Sequence, residues 1–166
     1  AYYRRNLPRF IAVKEMIADG VIGDVRGVQA VRYEALPVAG EGRVPWQIDT
    51  ALSNGGLFFD GVCHLFEFLD FMFGPVKEVH GFAANRAQAY ETEDTVSASF
   101  RFETGVIGSG FWCYATDERR DRTTVFGAKA RLSPSTQYLE PIIIQRGDNA
   151  PKLEITDPPT VQQPTI

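Results

Sequence analysis

The sequence predicts an α+β fold with one large, mostly antiparallel, open-faced sheet and helices packed on one face. Two helical segments, near residues 7–19 and 55–73, lie in the first half of the chain, and the second half is a succession of predicted strands. Strands that follow one another without intervening helices argue against a parallel sheet of βαβ units. The chain of 166 residues has the length of one domain.

The first helix is marked by signals at both ends. Asn6 is a candidate cap and Pro8 fits the first turn, while Gly20 suits a left-handed helix end. Apolar residues recur between them at helical spacing. A strand over about residues 25–35 follows. In that strand Gln29, Val31, Tyr33 and Ala35 alternate with Val28, Ala30, Arg32 and Glu34.

Residues 36–54 form a long irregular stretch that contains Pro37, Gly40, Gly42 and Trp46. Loops longer than about 12–15 residues in a compact domain are usually functional or disordered. The tryptophan favours a functional loop that packs over a pocket. A disordered flap is the alternative, and the sequence leaves both open.

The most apolar segment, residues 55–73, predicts a buried helix that ends at Gly74-Pro75. Its apolar character continues around nearly the whole helix, which is typical of a core element. Further strands are predicted at 76–82, 95–102, 106–115, 121–126, 129–133, 139–145 and 152–156.

Three polar residues, Asp60, His64 and Glu67, form a narrow stripe on this apolar helix because they stand at i, i+4 and i+7. A carboxylate that orients an imidazole positions a proton, so Asp60 and His64 are candidate acid–base residues. A solvated face and a structural hydrogen bond are the alternatives. A zinc site that adds His80 is the weaker hypothesis, and we predict no metal.

Composition excludes several classes of partner. The chain has 17 basic and 21 acidic residues, a net charge of −4, and no cluster of Lys or Arg. This balance argues against nucleic acid and an anionic membrane, and no stretch reaches the ~18 apolar residues of a membrane span. Two cysteines cannot build a disulfide framework, so we expect a cytoplasmic protein. Because the chain starts at Ala1 without methionine, we expect a fragment, and any targeting signal would lie upstream of Ala1.

The string from Asn54 to Glu67, NGGLFFDGVCHLFE, resembles the GGGxxxDxGxHxxD signature of the Gfo/Idh/MocA oxidoreductases, relatives of glucose–fructose oxidoreductase and inositol dehydrogenase. Other features resemble that family in the expected order: Arg4-Arg5 with Pro8, the turn at 20–23, Trp46 and the hairpin at 102–105. Asn54 replaces a third glycine, and Glu67 replaces an aspartate. Val62 replaces a glycine that here stands one place earlier, as Gly61.

The resemblance implies that residues 1–166 are a C-terminal substrate-binding and oligomerisation domain. An N-terminal Rossmann domain and a closing C-terminal helix would then lie outside this chain. It implies hydride transfer between NAD or NADP, held mainly by the N-terminal domain, and a hydroxyl-bearing carbon of a sugar or cyclic polyol. A lysine of the Rossmann domain would share the proton handling, so the isolated chain is expected to be inactive.

The resemblance also assigns roles and partners. Asp60 and His64 would be catalytic, and Trp46, Glu67 and Arg5 would bind the substrate. We expect a homodimer or higher homo-oligomer through the open sheet face. The alternative function is a non-catalytic sugar-binding or dimerisation module, or a regulator, on the same fold.

Overall fold

The computed structural model describes residues 3–36, 45–53 and 55–162. The predictions for Pro37, Gly40, Gly42 and Asn54 fall outside these residues. The described chain forms a mixed α+β domain around an eight-stranded sheet with the strand order β2-β3-β4-β1-β5-β6-β7-β8. No helix within the described ranges combines the length and the apolar character that a membrane span needs.

The helices are α1 (Pro8–Ala18), α2 (Thr50–Ser53) and α3 (Gly56–Phe73), with 3₁₀ turns at Arg4–Asn6 and Trp46–Ile48. The strands are β1 (Val25–Tyr33), β2 (Val76–Ala84), β3 (Thr95–Phe102), β4 (Ile107–Cys113), β5 (Arg120–Gly127), β6 (Arg131–Ser133), β7 (Ile142–Gln145) and β8 (Lys152–Leu153).

Strand β1 lies in the middle of the sheet, between two strands that come much later in the chain. It pairs in parallel with β4 and antiparallel with β5. The other named strand pairs are antiparallel. The sheet is therefore mostly antiparallel, as predicted, and its one parallel pair among the described strands lies at the centre.

Helices α1 and α3 cover one face of the sheet through aromatic contacts. Phe10 of α1 packs against Phe68 of α3 with tilted rings whose centroids lie 4.8 Å apart. Phe66 of α3 meets Phe100 of β3 at 5.2 Å, and Phe58 meets Trp112 of β4 at 5.4 Å. This face therefore holds the hydrophobic core, and α3 is fixed directly above β3 and β4.

The opposite face of the sheet is open. On β3 it carries Ser97, Ser99 and Arg101, which are exposed, and on β4 it carries Ile107 and Phe111, which are 60% and 39% exposed. Trp112, the neighbour of Phe111, points the other way and is only 2% exposed beneath α3.

The start of the first helix differs from the prediction. The cap position of α1 is occupied by Leu7 rather than Asn6, and no side-chain hydrogen bond caps the helix. The reason is the 3₁₀ turn at Arg4–Asn6, in which the Leu7 N–H donates to the Arg4 carbonyl at 2.9 Å. This turn places Arg4 and Arg5 against α3.

Candidate active site

Helix α3 presents the predicted site residues near its N-terminal half. It begins at Gly56, whose φ of 72° lies in the left-handed region that favours glycine. A Cβ at this position would also lie 2.0 Å from Thr92 Oγ1. The Gly56 N–H donates to Ser53 Oγ at 3.2 Å. The local sequence therefore fixes the residue at which α3 begins. It also fixes the positions of Asp60 and His64 along the helix axis.

Asp60 and His64 differ in their surroundings. Asp60 is exposed, whereas His64 is partly buried and its ring lies 5.9 Å from the ring of Tyr3. Burial, and then the nearby Arg4 guanidinium, lower the pKa of His64 to about 4, while Asp60 acts in the opposite direction. His64 is therefore a neutral imidazole at neutral pH, able to accept a proton.

Glu67 continues the stripe but lies deeper. Its side chain is 4% exposed and forms an ion pair with Arg5, whose Nε donates to Glu67 Oε1. Arg5 Nη2 also lies 3.8 Å from Asp70 Oδ2. Arg5 is 42% exposed, so the pair consists of a buried carboxylate and a cation that still reaches solvent.

Trp46 lies in a 3₁₀ turn that packs beside α2 and α3. Its side chain is 51% exposed. The indole is therefore available at the end of α3 that carries Asp60, although the structure gives it no described ring partner. Of the predicted site residues, α3 and the Arg4–Asn6 turn bring together Asp60, His64, Glu67 and Arg5, and Trp46 stands beside this group.

A second cluster, which the sequence did not predict, lies at the end of β1. The Arg32 guanidinium donates to Glu34 Oε1 from Nε at 2.7 Å and from Nη2 at 2.6 Å. The Tyr138 hydroxyl donates to the same oxygen at 2.9 Å. Arg119 lies over the Tyr138 ring at 4.0 Å. One signal was present: Arg32 and Glu34 alternate in phase with the buried Val28 and Ala30.

This cluster reaches α3 at Gly61, between Asp60 and His64. Gln137 Nε2 donates to the Gly61 carbonyl at 3.2 Å, and Arg4 Nη2 donates to Gln137 Oε1 at 2.9 Å. Asp121 holds the Gln137 segment through its carboxylate, accepting the Gln137 N–H at 2.7 Å. Arg4, Arg32 and Gln137 therefore surround one turn of α3, although they are far apart in sequence.

His80 lies on the other side of the sheet. It pairs in register with Ser99 on β2 and β3, which places it on the open face, away from α3. The described residues contain no group of three or more His, Cys, Asp or Glu side chains that could hold a metal ion. A site joining His80 to Asp60, His64 and Glu67 is therefore incompatible with this sheet.

The glycines at 105, 108 and 110 form no cradle for a dinucleotide. Two of them lie within β4, where neighbouring side chains fill the space. A Cβ at Gly108 would lie 2.2 Å from the Phe100 ring, and one at Gly110 would lie 1.9 Å from the Trp112 ring. A pyrophosphate needs free backbone N–H groups at a helix N-terminus or loop, which these strand positions do not offer.

The chain matches the profile of a known protein family. The profile of the GFO/IDH/MocA C-terminal domain matches residues 10–133. The chain belongs to this family, which confirms the resemblance seen in the sequence.

Two curated relatives and one solved structure illustrate the similarity. Oxidoreductase P35 of Formosa agariphila is 28% identical over 100% of this chain and 51% of its own length. The trans-1,2-dihydrobenzene-1,2-diol dehydrogenase of Oryctolagus cuniculus is 30% identical over 85% of this chain and 40% of its own. An inositol dehydrogenase homolog from Azotobacter vinelandii, solved with NAD⁺, shares the fold at a TM-score of 0.76 and 18% identity. That match covers 98% of this chain and 45% of the other.

The chain thus spans about half the length of the curated relatives it matches. It is a domain of an oxidoreductase family, and structural neighbours of that family bind nicotinamide cofactors.

Proposed function

We propose that this chain is the substrate-binding half of an NAD(P)-dependent dehydrogenase. The full-length protein transfers a hydride to or from a hydroxyl-bearing carbon of a sugar or cyclic polyol. The names of relatives support this substrate class, since one acts on a cyclic diol and another is an inositol dehydrogenase homolog. NAD or NADP is held mainly by an N-terminal Rossmann domain of the full-length protein.

The observation that carries the proposal is the neutral His64 beside Asp60 on a helix fixed in the core. Burial and Arg4 lower the pKa of His64 to about 4. The ring is therefore removed from bulk water, which a fully solvated polar stripe would not do. It carries no proton at pH 7 and lies one helical turn from a carboxylate, so it can accept the proton of a bound hydroxyl.

In the oxidising direction His64 accepts the proton of the substrate hydroxyl as the C–H bond breaks. Asp60, one turn away, accepts a hydrogen bond from the substrate and stabilises the imidazolium that forms. The nicotinamide, when bound, accepts the hydride. His64 then releases its proton to solvent, which its low pKa favours. Arg5, Glu67 and Trp46 bind the rest of the substrate: Arg5 through its exposed edge, held by Glu67, and Trp46 through its exposed ring.

The test is His64→Ala in the full-length protein, assayed with a panel of sugars and cyclic polyols and either dinucleotide. We expect turnover to fall by about two to four orders of magnitude, the range for lost acid–base catalysis. His80→Ala, on the open face, is the matched control and should retain turnover. Equal turnover in wild type and His64→Ala, at equal thermal stability, would refute the catalytic assignment.

The second candidate function is a non-catalytic sugar-binding or dimerisation module. The open sheet face favours it, because Ile107 and Phe111 are exposed there. The same panel separates the two functions: sugar binding measured by calorimetry without any reduction of NAD⁺ or NADP⁺ would support the module, whereas turnover supports the dehydrogenase.

A further inference from the structure

The Arg32 side chain crosses from the central strand to the catalytic helix. It projects from β1 toward the helix-covered face and is 15% exposed. Its guanidinium lies 5.4 Å from the Tyr114 ring centroid. At its far edge, Nη1 is buried and has no hydrogen-bond partner among the described residues. This edge lies against the α3 backbone at Gly61.

The fit between Arg32 and Gly61 requires a glycine. A Cβ at position 61 would lie 1.9 Å from Arg32 Nη1, 3.0 Å from Arg32 Cζ and 3.4 Å from Tyr114 Oη. The φ of Gly61 is not among the positive values of the chain, so the backbone conformation does not demand glycine. The guanidinium itself excludes any side chain here.

The guanidinium cannot move aside easily. Its opposite edge is held by Glu34 through both Nε and Nη2, and the Tyr138 hydroxyl donates to the same Glu34 oxygen. Charge-assisted, side-on contacts of this kind fix the plane of the arginine as well as its position. The Nη1 edge of Arg32 therefore packs against the α3 backbone at Gly61 while Glu34 holds the opposite edge in place.

We propose that Arg32 is a positioning residue for the Asp60–His64 pair, and that Gly61 is present to admit its guanidinium. The proposal rests on the proposed function, because it assigns Arg32 to the same site. Gly61 stands next to Asp60 and three residues before His64. The contact of the Arg32 guanidinium with Gly61 therefore determines how the helical turn that carries both residues is placed above the sheet. It also explains why the glycine of this segment stands at 61, with Val62 buried beside it.

Arg32 also places a positive charge near His64, in addition to its contact with Gly61. Among the described residues, the charged or titratable groups that face His64 include Arg4 and Tyr3 from the first turn, Asp60 from its own helix, and Arg32 from β1. Arg4 and Arg32 both disfavour a proton on the imidazole, while Asp60 favours it. Because Arg32 is largely buried, solvent screens its charge less than that of a surface arginine.

A double-mutant cycle in the full-length enzyme tests the contact between Arg32 and Gly61. Arg32→Ala and Gly61→Ala should each lower kcat by about 10- to 100-fold, since a misplacement of about 1 Å can cost about 100-fold. KM should change less than about threefold, because neither residue touches the substrate. In the double variant the losses should not multiply, because the alanine at 61 fills space that Arg32 has vacated. If the two losses of kcat multiply in the double variant, Arg32 and Gly61 do not act through their mutual contact, and the proposal is overturned.

A second measurement needs no substrate, so it separates failure of this proposal from failure of the proposed function. The ring protons of His64 are titrated by NMR in the full-length protein, with His64→Gln used for assignment. In Arg32→Met, which keeps most of the volume and removes the charge, the His64 midpoint should move up toward its ordinary value. Arg32→Lys keeps the positive charge but loses the planar guanidinium that contacts Glu34 and Gly61. In this variant the midpoint of the His64 titration should stay low, whereas kcat should still fall.

Arg26→Met is the matched control, because Arg26 lies on the same strand, is 65% exposed and pairs only with Asp24 among the described ion pairs. It should leave both kcat and the His64 midpoint unchanged. A His64 midpoint that does not move in Arg32→Met, together with unchanged kcat at equal thermal stability, would overturn the positioning role.

Discussion

At the scale of single residues, the His64 imidazole is the group whose surroundings matter most. Burial, and then the Arg4 guanidinium, lower the pKa of His64 from its ordinary 6.5 to about 4. In the unfolded chain this ring binds a proton below about pH 6.5, whereas in the folded chain it stays neutral until about pH 4. Folding and proton binding are therefore coupled at this one side chain.

This coupling predicts a pH dependence of stability with a defined sign. Because the folded-state pKa is lowered, the contribution of His64 to stability is complete above pH 6.5 and is lost progressively as the pH falls toward 4. His64→Gln should flatten the fall in unfolding free energy over this window, as measured by urea denaturation at several pH values. His80→Gln serves as the control, and equal slopes in wild type and His64→Gln would contradict the prediction.

The residue scale also shows what the sequence could reveal about the site. Asp60 and His64 could be found because they are local, one helical turn apart in an otherwise apolar helix. The contacts of Arg32 and Gln137 could not, because Tyr138 meets Glu34 and Gln137 meets Gly61 only after the sheet has formed. Helical spacing contains no information about such distant pairs. The burial of the Glu67 carboxylate likewise depends on its ion pair with Arg5, which lies in the 3₁₀ turn at Arg4–Asn6 and not in α3.

At the scale of elements, the position of α3 depends on close packing above β3 and β4. The contact uses the missing side chain of Gly108, where a Cβ would lie 2.2 Å from the Phe100 ring and 2.8 Å from Val28 Cγ1. Polar and apolar residues alternate along β3 in the sequence, and its apolar Phe100 faces the helices. The sequence did not predict that the adjacent strand must be nearly free of side chains beneath that ring.

Gly108→Ala should therefore lower the unfolding free energy by about 1–3 kcal/mol, the usual cost of overpacking a core. Ser109→Ala, one residue along on the open face, is the control and should change it by less than about 0.5 kcal/mol. Chemical denaturation of both variants is the measurement. A Gly108→Ala variant as stable as Ser109→Ala would show that the helix layer can shift to make room.

At the scale of the whole molecule, the open sheet face predicts self-association. Ile107 and Phe111 are exposed on the same face of β4, with polar residues between and beside them. Exposed apolar side chains on one face commonly mark interfaces. We expect a homodimer that stacks two open faces and buries well over ~1,000 Å² in total. Light scattering at micromolar concentration should give a dimer for the wild type and a monomer for Phe111→Asp.

Leu139→Asp is the control for this experiment, because Leu139 is 65% exposed but lies outside the sheet face. It should leave the dimer intact. A strictly monomeric wild type, or a Phe111→Asp variant that remains dimeric, would contradict this assignment of the interface.

The whole molecule also determines where the cofactor can bind. Because the sequence contains no GxGxxG motif, the isolated 166-residue chain should show neither dehydrogenase activity nor tight binding of reduced nicotinamide. Fluorescence titration with NADH and NADPH is the test, and the full-length protein is the positive control. Tight binding to the isolated chain would refute the assignment of the cofactor to an N-terminal domain.

The central place of β1 has a consequence for how the domain is made. Val25–Tyr33 are synthesised before both of their neighbours, β4 (Ile107–Cys113) and β5 (Arg120–Gly127). Both edges of β1 stay unpaired until β4 has been made, and one edge stays unpaired until β5 follows. A strand with an unpaired edge readily pairs with other chains. We therefore expect a nascent chain that ends before residue 127 to aggregate more readily than one that includes β5.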